Sequence, residues 1–214
     1  MDLGSLIKPL PAGAGRIGLL SSDEFLPRAR TFDDAMLADR RVERIGVLLC
    51  ADHLAANQSL EFARRHFPDQ QVFRVVAACG PDDLPDMDLL YLGGGDPRSL
   101  ATCVQERAGF WDDVTARWRA GLMLAGSSAG AMMLCRHALG ACTCTNPHHE
   151  WGDGLGPVEG IGLAVHADRR DPEWLAHLPQ TAAEPVIAMD EGTGIILEPG
   201  RPPRTVGEGR IWRL

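Results

Sequence analysis

The chain has 214 residues, 45% of them hydrophobic, so it can bury the core of one α/β domain of ordinary size, and we expect a single domain over residues 1–214. Asp and Glu number 29 against 21 Lys and Arg, a formal net charge of −8, and an acidic surface argues against nucleic acid or anionic lipid as a partner. The sequence has no apolar run of about 18 residues and no basic, apolar leader, so we expect no membrane association and a cytoplasmic location.

Predicted strands and helices alternate along the chain. In chain order, we predict strands at residues 16–21, 42–50, 72–77, 86–92 and 122–125, with helices at 57–66, 97–104, 109–119 and 129–137. Residues 143–156 are rich in Gly, His and Pro, which predicts an exposed loop. The remaining predicted elements are a helix at 172–178, a hairpin of strands 186–189 and 194–197, and one or two short strands within 205–214. This alternation predicts a three-layer α/β fold, a mainly parallel sheet flanked by helices, with functional sites at the carboxyl ends of its strands.

The strongest local motif follows the fifth predicted strand. Gly126-Ser127-Ser128-Ala129-Gly130 matches G-x-S-x-G between a strand and a helix, the context in which a serine nucleophile stands on a tight turn. The two glycines leave room across the turn, and the N–H of Ala129 at the helix start can donate to a developing oxyanion. The alternative is a small-residue turn that packs a helix on the sheet, with a serine as the helix cap. The strand–turn–helix context favours Ser128 as the nucleophile.

A glycine run follows the fourth predicted strand. Gly93-Gly94-Gly95-Asp96 allows close approach of the backbone to a ligand. One of its N–H groups can supply a second oxyanion donor. The alternative is a flexible turn in which Asp96 caps the next helix, and the two interpretations are compatible.

A serine nucleophile needs a base within hydrogen-bond reach and usually a carboxylate behind that base. Among seven histidines, His166 ends an apolar, strand-like run, and a strand end is where a base that faces Ser128 should lie. A structural histidine is the alternative. Asp190 and Glu191 follow a later predicted strand, and alternation along a strand lets only one of them point to the site. From the residues alone both stay candidates, as does a simple acidic turn.

The six cysteines predict neither a disulfide framework nor a metal site. The chain is large enough to fold without cross-links and lacks a secretion signal, so we expect reduced thiols. Cys142 and Cys144 lie near His148 and His149, but a single intervening residue does not fit the usual zinc spacing. We therefore expect no metal and no other cofactor.

Taken together, the motifs resemble those of peptidase family S51, which contains the Asp-specific dipeptidase peptidase E and the cyanophycinases. The likeness extends over residues 16–213 and rests on segments in matching order: the glycine run 93–96, the sequence 126–131, the strand-end His166 and the acidic turn 190–193. The resemblance implies a class I glutamine amidotransferase-like (flavodoxin-like) fold.

The resemblance also implies a role for each site residue. Ser128 would be the nucleophile, His166 the base and Glu191 the carboxylate that orients it. The N–H groups implied for the oxyanion hole are those of Gly94 or Gly95 and of Ala129.

Three departures from the family concern the substrate. Asp96 stands where the glycine motif of the family has Asn, and Met132 stands where peptidase E has Asn. The segment after His166 is shorter than in peptidase E, whose longer loop has basic residues that can meet the aspartyl carboxylate of the substrate. Arg169 and Arg170 are candidates for that task, because guanidinium groups suit bidentate carboxylate binding; a solvated charge cluster is the alternative. Our candidate substrate-binding residues are therefore Asp96, Arg169 and Arg170.

The sequence thus predicts a serine peptidase that hydrolyses short peptides near the N-terminus, with Asp-X dipeptides as one substrate class. Alternatives are a cyanophycinase-like or isoaspartyl peptidase and a broad aminopeptidase. An α/β-hydrolase esterase would order its triad Ser, acid, His, and the last histidine, His177, leaves only Asp168 or Asp171 for that crowded arrangement. A non-catalytic binding protein would not need the complete Ser, His and Glu set. The oligomeric state stays open, with a homodimer among the alternatives.

Overall fold

A seven-stranded sheet lies between two layers of helices in the computed structural model, which describes residues 2–50, 56–76, 84–105, 109–141 and 150–214. The strands of the described chain are β1 Ile17–Leu20, β2 Arg44–Leu48, β3 Gln71–Val75, β4 Leu89–Leu92, β5 Met123–Ser127, β6 His137–Leu139, β7 Trp151–Asp153, β8 Gly162–Ala164, β9 Val186–Met189, β10 Thr193–Leu197, β11 Arg204–Gly207 and β12 Ile211–Arg213. The α-helices are α1 Arg30–Leu37, α2 Ala56–His66, α3 Pro97–Gln105, α4 Phe110–Arg119, α5 Ala129–Met133 and α6 Pro172–Thr181. Short 3-10 helices occupy Leu3–Ser5, Pro27–Ala29 and Ala167–Arg169.

The main sheet has the strand order β11-β10-β1-β5-β4-β2-β3. Strands β1 to β5 are mutually parallel, and β10 and β11 extend the β1 edge in antiparallel orientation. The buried strand β4 shows how the sheet joins its two helical layers. Its Leu89 and Tyr91 pack with residues of α1 and α2, whereas Leu90 and Leu92 pack with residues of α3, α4 and α5. The predicted three-layer fold with a mainly parallel sheet is confirmed.

A second sheet has the order β12-β9-β8, with β8 parallel to β9. The predicted hairpin of residues 186–189 and 194–197 is wrong, because β9 belongs to this second sheet and β10 pairs with β1 in the main sheet. Residues 190–192 cross from one sheet to the other. Both strands are apolar and fully buried, and such runs do not reveal which neighbours they pair with.

Two further segments differ from the sequence prediction. The helix expected at residues 129–137 ends at Met133, and β6 begins at His137. Strand β6 pairs with β7, which lies in the segment predicted as a loop. Helix α1 lies outside the predicted elements, although it buries Phe32 and Met36 four residues apart, a helical spacing.

Two cysteines are joined. Cys50, after β2, and Cys103, in α3, form a disulfide with their Cα atoms 6.2 Å apart, so the expectation of reduced thiols is wrong for this pair. The bond requires the end of β2 to lie beside α3, a proximity that sequence spacing does not show. Cys135 is free, and burial raises the pKa of its thiol.

Within the described part of the chain, no helix is long and apolar enough to cross a membrane. The same residues contain no group of three His, Cys, Asp or Glu side chains placed to hold a metal ion. The candidate metal ligands Cys142, Cys144, His148 and His149 lie outside the described residues, as does Cys79.

A buried ion pair joins the start of β1 to the end of β10. Arg16 is 4% exposed; it donates to three carbonyl groups at the end of α1, and its Nη2 donates to Glu198 Oε1 at 3.0 Å. Arg40 and Arg201 also pair with Glu198, at 2.7 and 3.2 Å. Burial alone would raise the pKa of Glu198, but the hydrogen bonds from Arg16 and Arg40 outweigh it, so the pKa lies below its usual value of 4.5.

We expect Glu198→Gln to lower the free energy of unfolding at pH 7 by about 1.5–3 kcal/mol, the range for hydrogen bonds to charged groups. Because the pKa of Glu198 is lowered by folding, its contribution is complete above pH 4.5 and is lost as the pH falls through the folded-state pKa. Urea unfolding of both proteins between pH 7 and pH 3 measures this difference. Glu43→Gln, which removes an exposed partner of Arg41, is the matched control; a Glu198 effect that does not change with pH would contradict the ion-pair explanation.

Candidate active site

Ser128 stands between β5 and α5 with φ 51° and ψ −114°, a backbone conformation that non-glycine residues rarely adopt. The neighbouring glycines make this turn possible. A Cβ on Gly126 would collide with the backbone of Gly130, and a Cβ on Gly130 would collide with the carbonyl group of Leu92. The turn therefore presents the Ser128 hydroxyl at the carboxyl edge of the main sheet, as the sequence motif predicts.

His166 follows β8 in the second sheet and connects Ser128 to Glu191. His166 Nε2 lies 2.9 Å from Ser128 Oγ, and His166 Nδ1 lies 2.9 Å from Glu191 Oε1. A carboxylate only accepts hydrogen bonds, so Nδ1 donates to Glu191 and Nε2 is left to accept from the serine hydroxyl. The Glu191 side chain is 7% exposed, whereas that of His166 is 25% exposed. The structure thus brings together all three residues that the sequence proposed for the triad.

Asp190, the other candidate carboxylate, is directed elsewhere. Its Oδ2 accepts from the backbone N–H and from Nε of Arg210, both at 3.0 Å. Its own N–H donates to the carbonyl oxygen of Arg210. Asp190 therefore links β9 to the segment before β12, and Glu191 is the carboxylate that contacts His166.

Two residues that follow His166 hold Glu191 in place. Asp168 Oδ1 accepts from the backbone N–H of Glu191 at 2.9 Å, and Arg169 Nη2 lies 2.7 Å from Glu191 Oε2. Arg28 lies farther from the same oxygen, at 3.9 Å. Arg169 is a candidate for substrate binding from the sequence, and in the structure its guanidinium group pairs with Glu191.

The glycine run after β4 lies against the nucleophile turn. The N–H of Gly94 donates to Glu24 Oε1 at 2.9 Å, and Ser127 Oγ donates to Glu24 Oε2 at 2.7 Å. Ala129 begins α5, and the first N–H groups of a helix have no partner within it. Glu24 is the site residue that sequence reasoning missed. It follows the carboxyl end of β1, and the strand-end argument used for the other residues could have found it.

A cavity of about 350 Å³ opens beside Ser128. Asp96 forms part of its wall and caps α3, where its carboxylate accepts from the N–H of Ser99 at 3.1 Å. Arg170 lies on another side, 5.2 Å above the ring of Trp174. No carboxylate among the described residues lies within ion-pair distance of Arg170. The other lining residues are Gly95, Pro97, Met132, Leu139, Gly140 and Val165.

A larger cleft of about 900 Å³ lies at the opposite edge of the sheet, where β1, β2, β4 and β5 begin. Several of its charged lining residues pair with one another or with neighbours: Arg40 and Arg201 with Glu198, and Arg117 with Asp113. The described residues that line this cleft include no serine, cysteine or histidine. The smaller cavity is therefore the candidate active site, despite its size.

A serine at a strand–turn–helix junction of an α/β fold that is hydrogen-bonded to a histidine is typical of serine hydrolases. The sequence profile of peptidase family S51 matches residues 81–201. The chain belongs to peptidase family S51 and is a serine-type peptidase.

Two solved structures are similar over nearly the whole chain. A peptidase from an acI-B1 Actinobacterium superimposes with a TM-score of 0.70 at 19% identity, over 94% of this chain and 97% of that one. A protein assigned as peptidase E from Listeria monocytogenes EGD-e gives a TM-score of 0.68 at 14% identity, over 91% and 99%. At these identities the likeness shows the fold alone, which is the predicted class I glutamine amidotransferase-like fold. No curated protein matches the sequence.

We expect Glu191→Gln to slow the labelling of Ser128 by a fluorophosphonate by about 10³–10⁴-fold, because an amide no longer favours the tautomer in which Nδ1 donates. Asp190→Asn, the matched control one residue away, should label at nearly the rate of the unchanged protein and should instead unfold at a lower temperature, since it weakens the contact with Arg210. Labelling rates and thermal unfolding of both variants measure these effects. If only Asp190→Asn is slow, the two carboxylates have the opposite roles.

Proposed function

We propose that the protein hydrolyses short peptides near their N-terminus, as a dipeptidase E-like enzyme, with Ser128 as nucleophile, His166 as base and Glu191 as the orienting carboxylate. One observation carries this proposal: the unbroken hydrogen-bond path from Ser128 Oγ through His166 to Glu191, 2.9 Å at each step. The strained turn at Ser128 supports it, because such conformations concentrate at functional sites.

The reaction proceeds by acyl transfer. His166 Nε2 takes the hydroxyl proton as Ser128 Oγ attacks the scissile carbonyl carbon, and Glu191 stabilises the imidazolium that forms. The negative oxygen of the tetrahedral intermediate accepts from the N–H of Ala129 and from an N–H of the glycine run. His166 then gives its proton to the departing amine, which breaks the C–N bond and leaves an acyl group on Ser128. Water, deprotonated by His166, releases the acid and restores the serine.

Substrate choice follows from the cavity beside Ser128. A volume of about 350 Å³ suits one or two residues of a peptide, which favours short substrates or the ends of longer ones. Arg170 is the one cationic group among the described residues that line this cavity, and its guanidinium can receive the side-chain carboxylate of an N-terminal Asp. Arg169 is occupied by Glu191. We therefore assign the preference for an acidic substrate side chain to Arg170. Arg169 instead supports the site through its contact with Glu191.

Replacement of the nucleophile tests the proposal directly. We expect Ser128→Ala to fold normally, as judged by circular dichroism, and to lose dipeptide hydrolysis by about 10⁴–10⁶-fold, the usual cost of removing a triad member. It should also resist fluorophosphonate labelling. Turnover close to that of the unchanged protein would refute the assignment of Ser128.

The neighbouring arginines test substrate choice. We expect the enzyme to prefer Asp-Leu over Leu-Leu and Ala-Leu, and we expect Arg170→Ala to raise KM for Asp-Leu alone by up to about fivefold, or more if the contact is desolvated. Arg169→Ala, the matched control, should lower kcat for all three dipeptides alike, because Arg169 contacts Glu191. Equal kcat/KM values for the three dipeptides in the unchanged protein would instead indicate a broad aminopeptidase-like hydrolase.

A further inference from the structure

Glu24 lies at the centre of a strained turn after β1. The residues on either side of it, Asp23 and Phe25, have φ values of 65° and 62°. The Phe25 side chain is buried and packs on Tyr91, with ring centroids 4.8 Å apart. The Ser22 hydroxyl donates to Asp23 at 2.8 Å. Anchors on both sides thus hold a conformation that would otherwise be disfavoured, and Glu24 is held between them.

The Glu24 carboxylate bridges the two loops that meet at the nucleophile. One oxygen accepts from the N–H of Gly94 in the glycine run, and the other accepts from Ser127 Oγ beside the nucleophile, at 2.9 and 2.7 Å. A Cβ on Gly94 would lie 2.8 Å from Glu24 Oε1 and 3.3 Å from Ser128 Cβ. The carboxylate therefore reaches the oxyanion side of Ser128 and joins it to the glycine run.

These contacts distinguish between the N–H groups of the glycine run. The N–H of Gly93 donates to the carbonyl oxygen of Leu48 at 3.0 Å, and the N–H of Gly94 donates to Glu24. The next N–H along the run is that of Gly95, which lines the cavity beside Ser128. The fixed peptide groups before it determine where this N–H points.

We propose that Glu24 is a positioning residue that fixes the glycine run against the nucleophile turn, so that Gly95 and Ala129, rather than Gly94, supply the oxyanion donors. Hydrogen bonds to a carboxylate are about twice as strong as neutral ones, but the positioning depends on a side chain long enough to contact both loops at once. This proposal rests on the proposed acyl-transfer mechanism, and it concerns the rate of the chemical step rather than the choice of substrate.

Two substitutions separate the shape of Glu24 from its charge. Glu24→Gln keeps the length and both bonds, because its amide oxygen can accept from Gly94 and its amide NH₂ can donate to Ser127 Oγ. Glu24→Asp keeps the charge but is one methylene shorter, so it cannot reach both partners. Glu61→Gln, an exposed partner of Arg64 on α2, controls for the loss of a surface charge.

The readouts are the saturation kinetics of fluorophosphonate labelling and, in parallel, kcat and KM for dipeptide hydrolysis, with circular dichroism to verify folding. We expect Glu24→Asp to lower the limiting labelling rate and kcat by about 10²-fold, the lower range for loss of one oxyanion donor, with half-saturation and KM nearly unchanged. For Glu24→Gln the limiting labelling rate and kcat should stay within about fivefold of those of the unchanged protein, since this variant retains both hydrogen bonds in neutral form.

The opposite order, with Glu24→Gln slow and Glu24→Asp fast, would overturn the proposal, as would equal rates for both or an effect confined to KM. Labelling does not depend on which peptide is the substrate. If labelling follows the expected order but no dipeptide is cleaved, the proposed substrate is wrong and the positioning role stands. If dipeptides are cleaved equally well by both variants, the substrate stands and the positioning role is wrong.

Discussion

One buried hydroxyl group joins the two sheets at the point where the site is assembled. Ser21 follows β1 in the main sheet and is fully buried. Its Oγ donates to the carbonyl oxygen of Met189 at 3.0 Å and accepts from the N–H of His166 at 2.9 Å. Met189 ends β9, just before Glu191, and His166 follows β8. Because a buried polar group left unpaired costs about 1–3 kcal/mol, any shift of the second sheet along the first is opposed at this residue.

The distances in the proposed triad depend on that junction. Ser128 follows a strand of the main sheet, His166 follows a strand of the second sheet, and Glu191 lies in the segment that crosses between the two sheets, so no single strand or loop sets their separation. The N–H of Ser128 donates to Leu20, and the N–H of Ser21 donates to Thr193. The end of β1 is thus bonded both to the nucleophile turn and to the first residue of β10, two residues after Glu191. The packing of two sheets, rather than a local motif, therefore determines the hydrogen-bond path.

Backbone strain is concentrated at the same edge. Of the five non-glycine residues with positive φ in the described chain, four are Asp23, Phe25, Ser128 and His166, and all lie around the candidate site. Such conformations cost of order 1–3 kcal/mol each unless the side chain tolerates them. They persist because neighbouring contacts fix them, such as the buried ring of Phe25 and the backbone bond from His166 to Ser21. The strained conformations at this edge thus lower the stability of the fold, and in return they hold the side chains of the site in fixed directions.

The sequence located Ser128 and His166 because each has a signal of its own, a glycine-flanked turn and the end of an apolar strand. The residues alone did not separate Asp190 from Glu191, since the answer depends on Arg210, which lies 20 residues away and reaches Asp190 through the pairing of β9 with β12. The pairing of β9 and β10, the disulfide of Cys50 with Cys103 and the contacts of Glu24 are likewise set by packing between distant segments. The periodicity of a local segment contains no information about such packing.

Two adjacent arginines in the short segment after His166 make different contacts. Arg169 is the last residue of the 3-10 helix Ala167–Arg169, and Arg170 is extended, with φ −94° and ψ 149°. The change of backbone conformation between them sends one guanidinium to Glu191 and the other to the cavity wall over Trp174. A protein with a net charge of −8 repels an acidic peptide at long range, but this repulsion is screened beyond about 8 Å at physiological salt. Under the proposed function, the local cation at Arg170 decides whether an acidic side chain is accepted, so the shorter segment after His166 would still allow acidic recognition.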